Sequence, residues 1–156
     1  MAKIYLDVCA LNRLTDDQSQ PRIRSEAEAV EKVLYLAGKG EAEWVASIVL
    51  EAEIGRNPDQ ERRNDALKLI SLAGEPLRPH SVSIERARAL EALGYGAFDA
   101  LHLACAEQAL VDAFLTTDDR LIRQVGRGLG KPTVRVLNPV KCKQELGDDS
   151  SGANNG

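Results

Sequence analysis

The chain has 156 residues and a formal net charge of −4. That is the length of one domain able to bury a two-faced core, and 44% hydrophobic with 28% charged residues is an ordinary globular balance. The acidic balance argues against a protein held to nucleic acid mainly by a broad basic surface, and 4% aromatics argues against a platform that stacks several single-stranded bases.

Residues 3–7 read as a buried strand ending on Asp7. The polar segment LTDDQSQPRIR, with Pro21, reads as a loop or broken helix. Ser25 and Glu28 form a capping-box pattern, which predicts a helix running from there to Gly38 on an apolar face of Ala27, Val30, Val33, Leu34 and Ala37. Residues 43–46 suit a short strand, and Ser47 then caps a helix carrying Ile48, Leu50 and Ile54. Asn57-Pro58 stops that helix and starts another, with Pro58 at its first position and Ala66, Leu67, Ile70 and Ala73 on one face. Ser83 is placed to cap a helix holding Ile84, Ala87, Leu90 and Leu93. Phe98–Leu110 is apolar nearly all round and predicts a central, buried helix. A strand over 113–116, a helix over 118–125 and a strand over 133–137 complete the pattern.

Short strands alternating with helices predict an α/β sandwich around a mostly parallel sheet. One folded unit over 1–146 is expected, followed by a disordered tail, 147–156, with no large apolar residue. Cys9, Cys105 and Cys142 are odd in number and share no ligand-like spacing, so neither a disulfide framework nor a zinc site is suggested. Cys105 reads as core. A reducing cytosol fits, no signal peptide is visible ahead of Asp7, and no run is long enough for a membrane span, so a cytoplasmic protein is expected.

Four acids stand out. Asp7 and Asp118 lie just past strand ends, where parallel sheets collect ligands. Glu53 rides on a helix in SIVLEAEIG, and Asp99 leads the apolar helix FDALHLACAE. Each has a plainer reading: a turn residue at Asp7, a solvated helix face at Glu53, charges at helix starts for Asp99 and Asp118. Crowded carboxylates repel and lose water, and the usual reason to crowd them is a divalent cation. Two such ions can activate water against a phosphodiester. Mg²⁺ or Mn²⁺ is therefore the expected cofactor, with Asp7, Glu53, Asp99 and Asp118 as metal ligands and catalytic residues. Thr116 and Ser47 are expected to support the acids, Asn12 to orient one, touch substrate or serve as a plain cap, and Asp119 to lend support or stand exposed. His102 shares a face with Asp99, but a lone helix histidine reads more simply as structural. Arg120, Arg123, Arg127 and Lys131, with Arg62 and Arg63 elsewhere, read mostly as solvated helix faces. Gly126, Gly128 and Gly130 lack the strand–loop–helix setting of a phosphate loop.

In order, YLDVCALNR, SIVLEAEIG, FDALHLACAE and FLTTDDRLI resemble the PIN-domain family, especially small ribonucleases of the VapC toxin type, over residues 3–138. The resemblance implies a three-layer α/β/α sandwich. It also implies an acid quartet, falling on Asp7, Glu53, Asp99 and Asp118, that binds one or two Mg²⁺ or Mn²⁺ ions for RNA cleavage. Its supporting hydroxyls fall on Thr116 and Ser47. It implies an RNA substrate, a homodimer, and an antitoxin protein that places a basic residue in the acidic cleft. Two places departs from the pattern: Cys9 stands where Ser, Thr or Asn is usual, and a thiol is a weak donor; the segment Thr15–Arg24 is longer and more polar than a compact toxin needs. The competing reading is a catalytically inactive module of the same fold that binds RNA or a protein partner.

Overall fold

The structure, a computed structural model, describes residues 1–145. The expected tail, and residue 146 of the expected folded unit, lie outside the described residues. Chain order is β1 (Ala2–Leu6), α1 (Val8–Asn12), α2 (Pro21–Gly38), β2 (Ala42–Val45), α3 (Ile48–Gly55) and α4 (Gln60–Ile70), followed by a 3-10 turn (Ser71–Ala73). Then come α5 (Ser81–Ala92), α6 (Ala97–Ala109), β3 (Ala113–Leu115), α7 (Asp119–Gly126) and β4 (Arg135–Leu137); residues 139–145 are helical.

Among the described residues, all four strands are parallel, in the order β2-β1-β3-β4. Helices flank the sheet, giving the three-layer α/β/α sandwich. Parallel strands covered on both faces carry near-continuous apolar runs, and Ile4, Tyr5 and Leu6 are all buried. The register pairs Tyr5 with Phe114 and Leu6 with Leu115. The Tyr5 and Phe114 rings stack at 5.2 Å. From β1 the chain crosses to β2 on one side and later to β3 on the other. The crevice beyond the carboxyl ends of β1 and β3 is therefore the switch point where such sheets bind ligands.

The helix expected to begin at Ser25 begins four residues earlier. Pro21 sits at its first position, where its fixed φ suits a helix and its missing N–H costs nothing; Gln20 precedes it without a side-chain cap. The start expected at Pro58 falls two residues later. Asp59 Oδ1 caps α4 through Arg62 N at 3.2 Å, while Asn57 Oδ1 takes Asp59 N at 3.0 Å and holds the link in a turn. Ser83 lies inside α5 instead of capping it: its hydroxyl donates to Gln108 Oε1 of α6 at 2.6 Å. The central helix forms as expected, with Ala100, Leu103, Ala104, Cys105 and Ala106 buried. It ends one residue short of Leu110, which adopts the left-handed conformation at φ 57°.

Candidate metal centre

β1 delivers Asp7 to the crevice, and Asp7 N donates to Leu115 O at 2.9 Å, tying the strand end to β3. The side chain caps α1: Oδ1 accepts from Val8 N at 2.8 Å. Oδ2 accepts from Thr116 Oγ1 at 3.0 Å and from the Cys9 thiol at 3.4 Å. Thr116 Oγ1 in turn accepts from Asp118 N at 3.1 Å, so one hydroxyl joins the turn bearing Asp118 to Asp7. Cys9 thus stands within bonding reach of Asp7 and lies 3.1 Å from Thr116 Oγ1. Burial pushes the Asp7 carboxyl up; His102, Thr116 and Val8 pull it down, and the charge of Glu53 adds to the rise.

Ser47 caps α3, accepting from Leu50 N at 3.2 Å, and the helix carries Glu53 to the same crevice while Glu51 stays exposed. Glu53 Oε1 lies 2.7 Å from His102 Nε2. Gly96 begins α6 and puts Asp99 in its first turn. Burial raises the Asp99 carboxyl to about 6, with the charges of Asp7 and Asp118 adding to it. Asp118 caps α7 through Oδ1, which accepts from Arg120 N at 3.0 Å and Leu121 N at 3.4 Å.

Among the described residues, Asp7, Glu53 and His102 form a cluster in which each offers one donor atom within 4.8 Å of the others. Asp99 and the exposed Asp118 lie outside that trio; the charges of Asp7 and Asp118 both act to raise the Asp99 carboxyl. The carboxylates are hard oxygen donors of the kind Mg²⁺ and Mn²⁺ take. A cation would offset the cost that burial and neighbouring charge put on the ionised forms of Asp99 and Asp7, so the donor set fits a divalent ion.

The remaining candidates divide. Asn12 lines a cleft of about 370 Å³ with Glu53, Arg56, Asn57 and Phe98. Asp119 is exposed and takes both arms of Arg22, at 2.9 and 3.0 Å. Arg22 also donates to Thr117 O at 3.3 Å and reaches Glu26, which is buried and further paired with Arg13 and Asn138. Arg62 is tied to Asp16 and the Asn12 carbonyl. Sequence reasoning passed over Tyr5, whose hydroxyl meets His102 Nδ1 at 2.6 Å and Ser47 Oγ at 2.7 Å. Its position two before Asp7 puts both side chains on one face of the chain, and that spacing was the available signal. The Arg22–Glu26 pair is four residues apart on one helix and was legible locally; the Arg22–Asp119 link, across 97 residues, carried no local signal.

No curated protein matches the chain. Among solved structures, it resembles a chain from the crystal structure of VapBC2 from Rickettsia felis bound to a DNA fragment from their promoter. The TM-score is 0.58 at 12% identity, covering 87% of this chain and 98% of that one, which is a likeness of fold. Residues 4–127 match the family model of the PIN domain, and the chain belongs to the PIN-domain family.

Proposed function

We propose that this protein is a metal-dependent endoribonuclease of the VapC toxin type, with Asp7, Glu53, Asp99 and Asp118 holding Mg²⁺ or Mn²⁺. The observation that carries the reading is the meeting of Asp7 and Glu53 at the switch point of a PIN-family sheet, with Asp99 raised to about 6 by burial and by the charges of Asp7, Asp118 and Glu53. The divalent ion supplies a Lewis acid that activates water and offsets charge on the phosphate. The chain's own residues do the rest. Asp7 is fixed by three donors, so its carboxylate needs little reorganisation. Thr116 couples Asp7 to Asp118, and the cap on α7 fixes Asp118 through one oxygen. Asn12, Arg56 and Asn57 in the adjoining cleft offer polar and cationic groups to RNA flanking the cut bond.

A cleft of carboxylates attracts an Arg fork as readily as a cation. An antitoxin protein that inserts a basic residue is the proposed inhibitor, and a homodimer the proposed assembly; a VapBC2 chain among the fold neighbours supports the partner. Among the described residues, no helix is long and apolar enough to cross a membrane.

The test is cleavage of a panel of structured and single-stranded RNAs with Mg²⁺, Mn²⁺ or EDTA, beside Asp7→Asn. Asparagine keeps an amide oxygen for the Val8 cap, so the variant should fold. Cutting that requires metal and disappears in Asp7→Asn is expected. Folded, inhibitor-free protein that neither cuts nor binds Mn²⁺ would establish the catalytically inactive module instead.

A further inference from the structure

We infer that Tyr5 and His102 position Glu53, and that His102 holds this carboxylate instead of ligating the cation. The inference rests on the nuclease reading above and concerns how one of its acids is aimed.

His102 is fully buried, and both of its ring nitrogens are engaged. Nε2 lies 2.7 Å from Glu53 Oε1 and Nδ1 lies 2.6 Å from the Tyr5 hydroxyl. An ionised carboxylate only accepts, so the Nε2 proton is on the histidine and points at Glu53. Metal ligation by Nε2 would require losing that proton and breaking a short bond between buried groups. The ring cannot turn to offer Nδ1, because Tyr5 holds that edge. Tyr5 is itself pinned, with Ser47 Oγ 2.7 Å away and Phe114 stacked against its ring. Phe98 stacks on His102 at 6.2 Å. The Asp7 Oδ1 to Nε2 separation of 3.9 Å is too long for a hydrogen bond.

The result is a fixed row, Ser47–Tyr5–His102–Glu53, drawn from the cap of α3, β1, α6 and α3 in turn. Glu53 needs such a holder more than Asp7 does. Its side chain is long, about a third exposed, and rooted on a helix face, so it would otherwise sample several rotamers. With Oε1 occupied by His102, Oε2 remains for the cation. Partners of this kind behind a metal ligand typically change affinity by about 10- to 100-fold when removed.

The test measures binding of Mn²⁺ alone by calorimetry and pulsed electron paramagnetic resonance, on the full chain and on His102→Leu, His102→Gln and Tyr5→Phe. Glutamine can donate to Glu53 and accept from Tyr5 with nearly the spacing of the imidazole nitrogens. We expect His102→Leu to bind at least about 10-fold more weakly and His102→Gln within about 3-fold of the parent. The parent should show no nitrogen bound directly to manganese, and RNA cleavage by His102→Leu should recover at saturating Mn²⁺. Two results overturn the inference while leaving the nuclease reading intact. One is directly bound nitrogen in the parent, with the glutamine variant as weak as the leucine one, which makes His102 a ligand. The other is parental affinity in His102→Leu, which removes the positioning role. A parent that binds no Mn²⁺ fails the nuclease reading itself, and the inference with it. Should His102→Leu not fold, Tyr5→Phe takes its place, since it removes only one hydroxyl; at least about 10-fold weaker binding is expected, and affinity within about 3-fold of the parent overturns the inference.

Discussion

Replacing Asp99 by Asn should stabilise the metal-free protein at neutral pH while removing its response to Mn²⁺. The Asp99 carboxyl is raised from 3.8 to about 6, first by burial and then by the charges of Asp7 and Asp118. A displacement of that size corresponds to at most about 3 kcal/mol against the ionised form. Asp99 is only half-buried, and solvent screening reduces this to about 1–2 kcal/mol. The N-terminus of α6 favours an anion by about 0.3–1 kcal/mol, so the net gain from asparagine at pH 7.5 is about 1 kcal/mol. Below pH 3.8 Asp99 is protonated whether folded or unfolded. Between 3.8 and about 6 the native state holds the proton that the unfolded state has released, so stability falls as pH rises through that window. The variant lacks this fall. Thermal melts in EDTA at pH 4 and 7.5 isolate the effect, because every other group titrates in both proteins. A gain of about 2–4 °C in melting temperature at pH 7.5, shrinking toward zero at pH 4, is expected. Added Mn²⁺ then reverses the order, since only the parent gains by binding. No gain at pH 7.5, or the same gain at both pH values, refutes the idea that the crevice stores repulsion at Asp99.

Burial pushes Cys9 to about 12 and Cys105 and Cys142 to about 11. The folded protein should therefore resist alkylation at pH 8 and label at all three thiols in urea; fast labelling of Cys9 in the native state would contradict its packing on Asp7. Glu26→Ala removes the buried acceptor of Arg13, Arg22 and Asn138 and should cost about 3 kcal/mol in chemical denaturation; a cost below about 1 kcal/mol would mean that water replaces it. Leu110→Gly should gain about 0.5–1 kcal/mol in the same assay, because a left-handed leucine that is 79% exposed is strained and packs on little; a loss would show that Leu110 is held by contacts after all. Trp44→Phe should change stability by less than about 1 kcal/mol despite the lost volume, because the buried indole Nε1 has no hydrogen-bond partner among the described residues; a larger loss means the indole is satisfied by bound water.

Helix starts show where local pattern was enough and where it was not. Ser47 was legible as a cap because the device is complete within three residues, Ser47 Oγ to Leu50 N. Ser25 and Ser83 carry the same local signal, and neither caps a helix. At Ser25 the stronger constraint was Pro21, a backbone effect. At Ser83 it was Gln108 on a neighbouring helix, which no local reading contains. The same division runs through the site. Apolar runs ending in acids put Asp7 and Asp118 beyond strand ends, and FDALHLACAE put Asp99 on a buried helix. That Asp7 leans on Thr116 depends on the register of β1 against β3.

Hydrophobic periodicity and the order of the acid-bearing segments thus determined, from the sequence alone, the alternation of strands and helices and the family's parallel sandwich. Those signals are complete within a turn of helix or a few strand residues. The partners of individual polar groups were decided only by the tertiary structure: His102 between Tyr5 and Glu53, Arg22 on Asp119, Cys9 against Asp7 and Thr116. His102 lies 97 residues from Tyr5 and 49 from Glu53. At such separations the identity of a neighbour follows from strand order and helix packing, and a buried polar side chain acquires its role only when that packing supplies a partner.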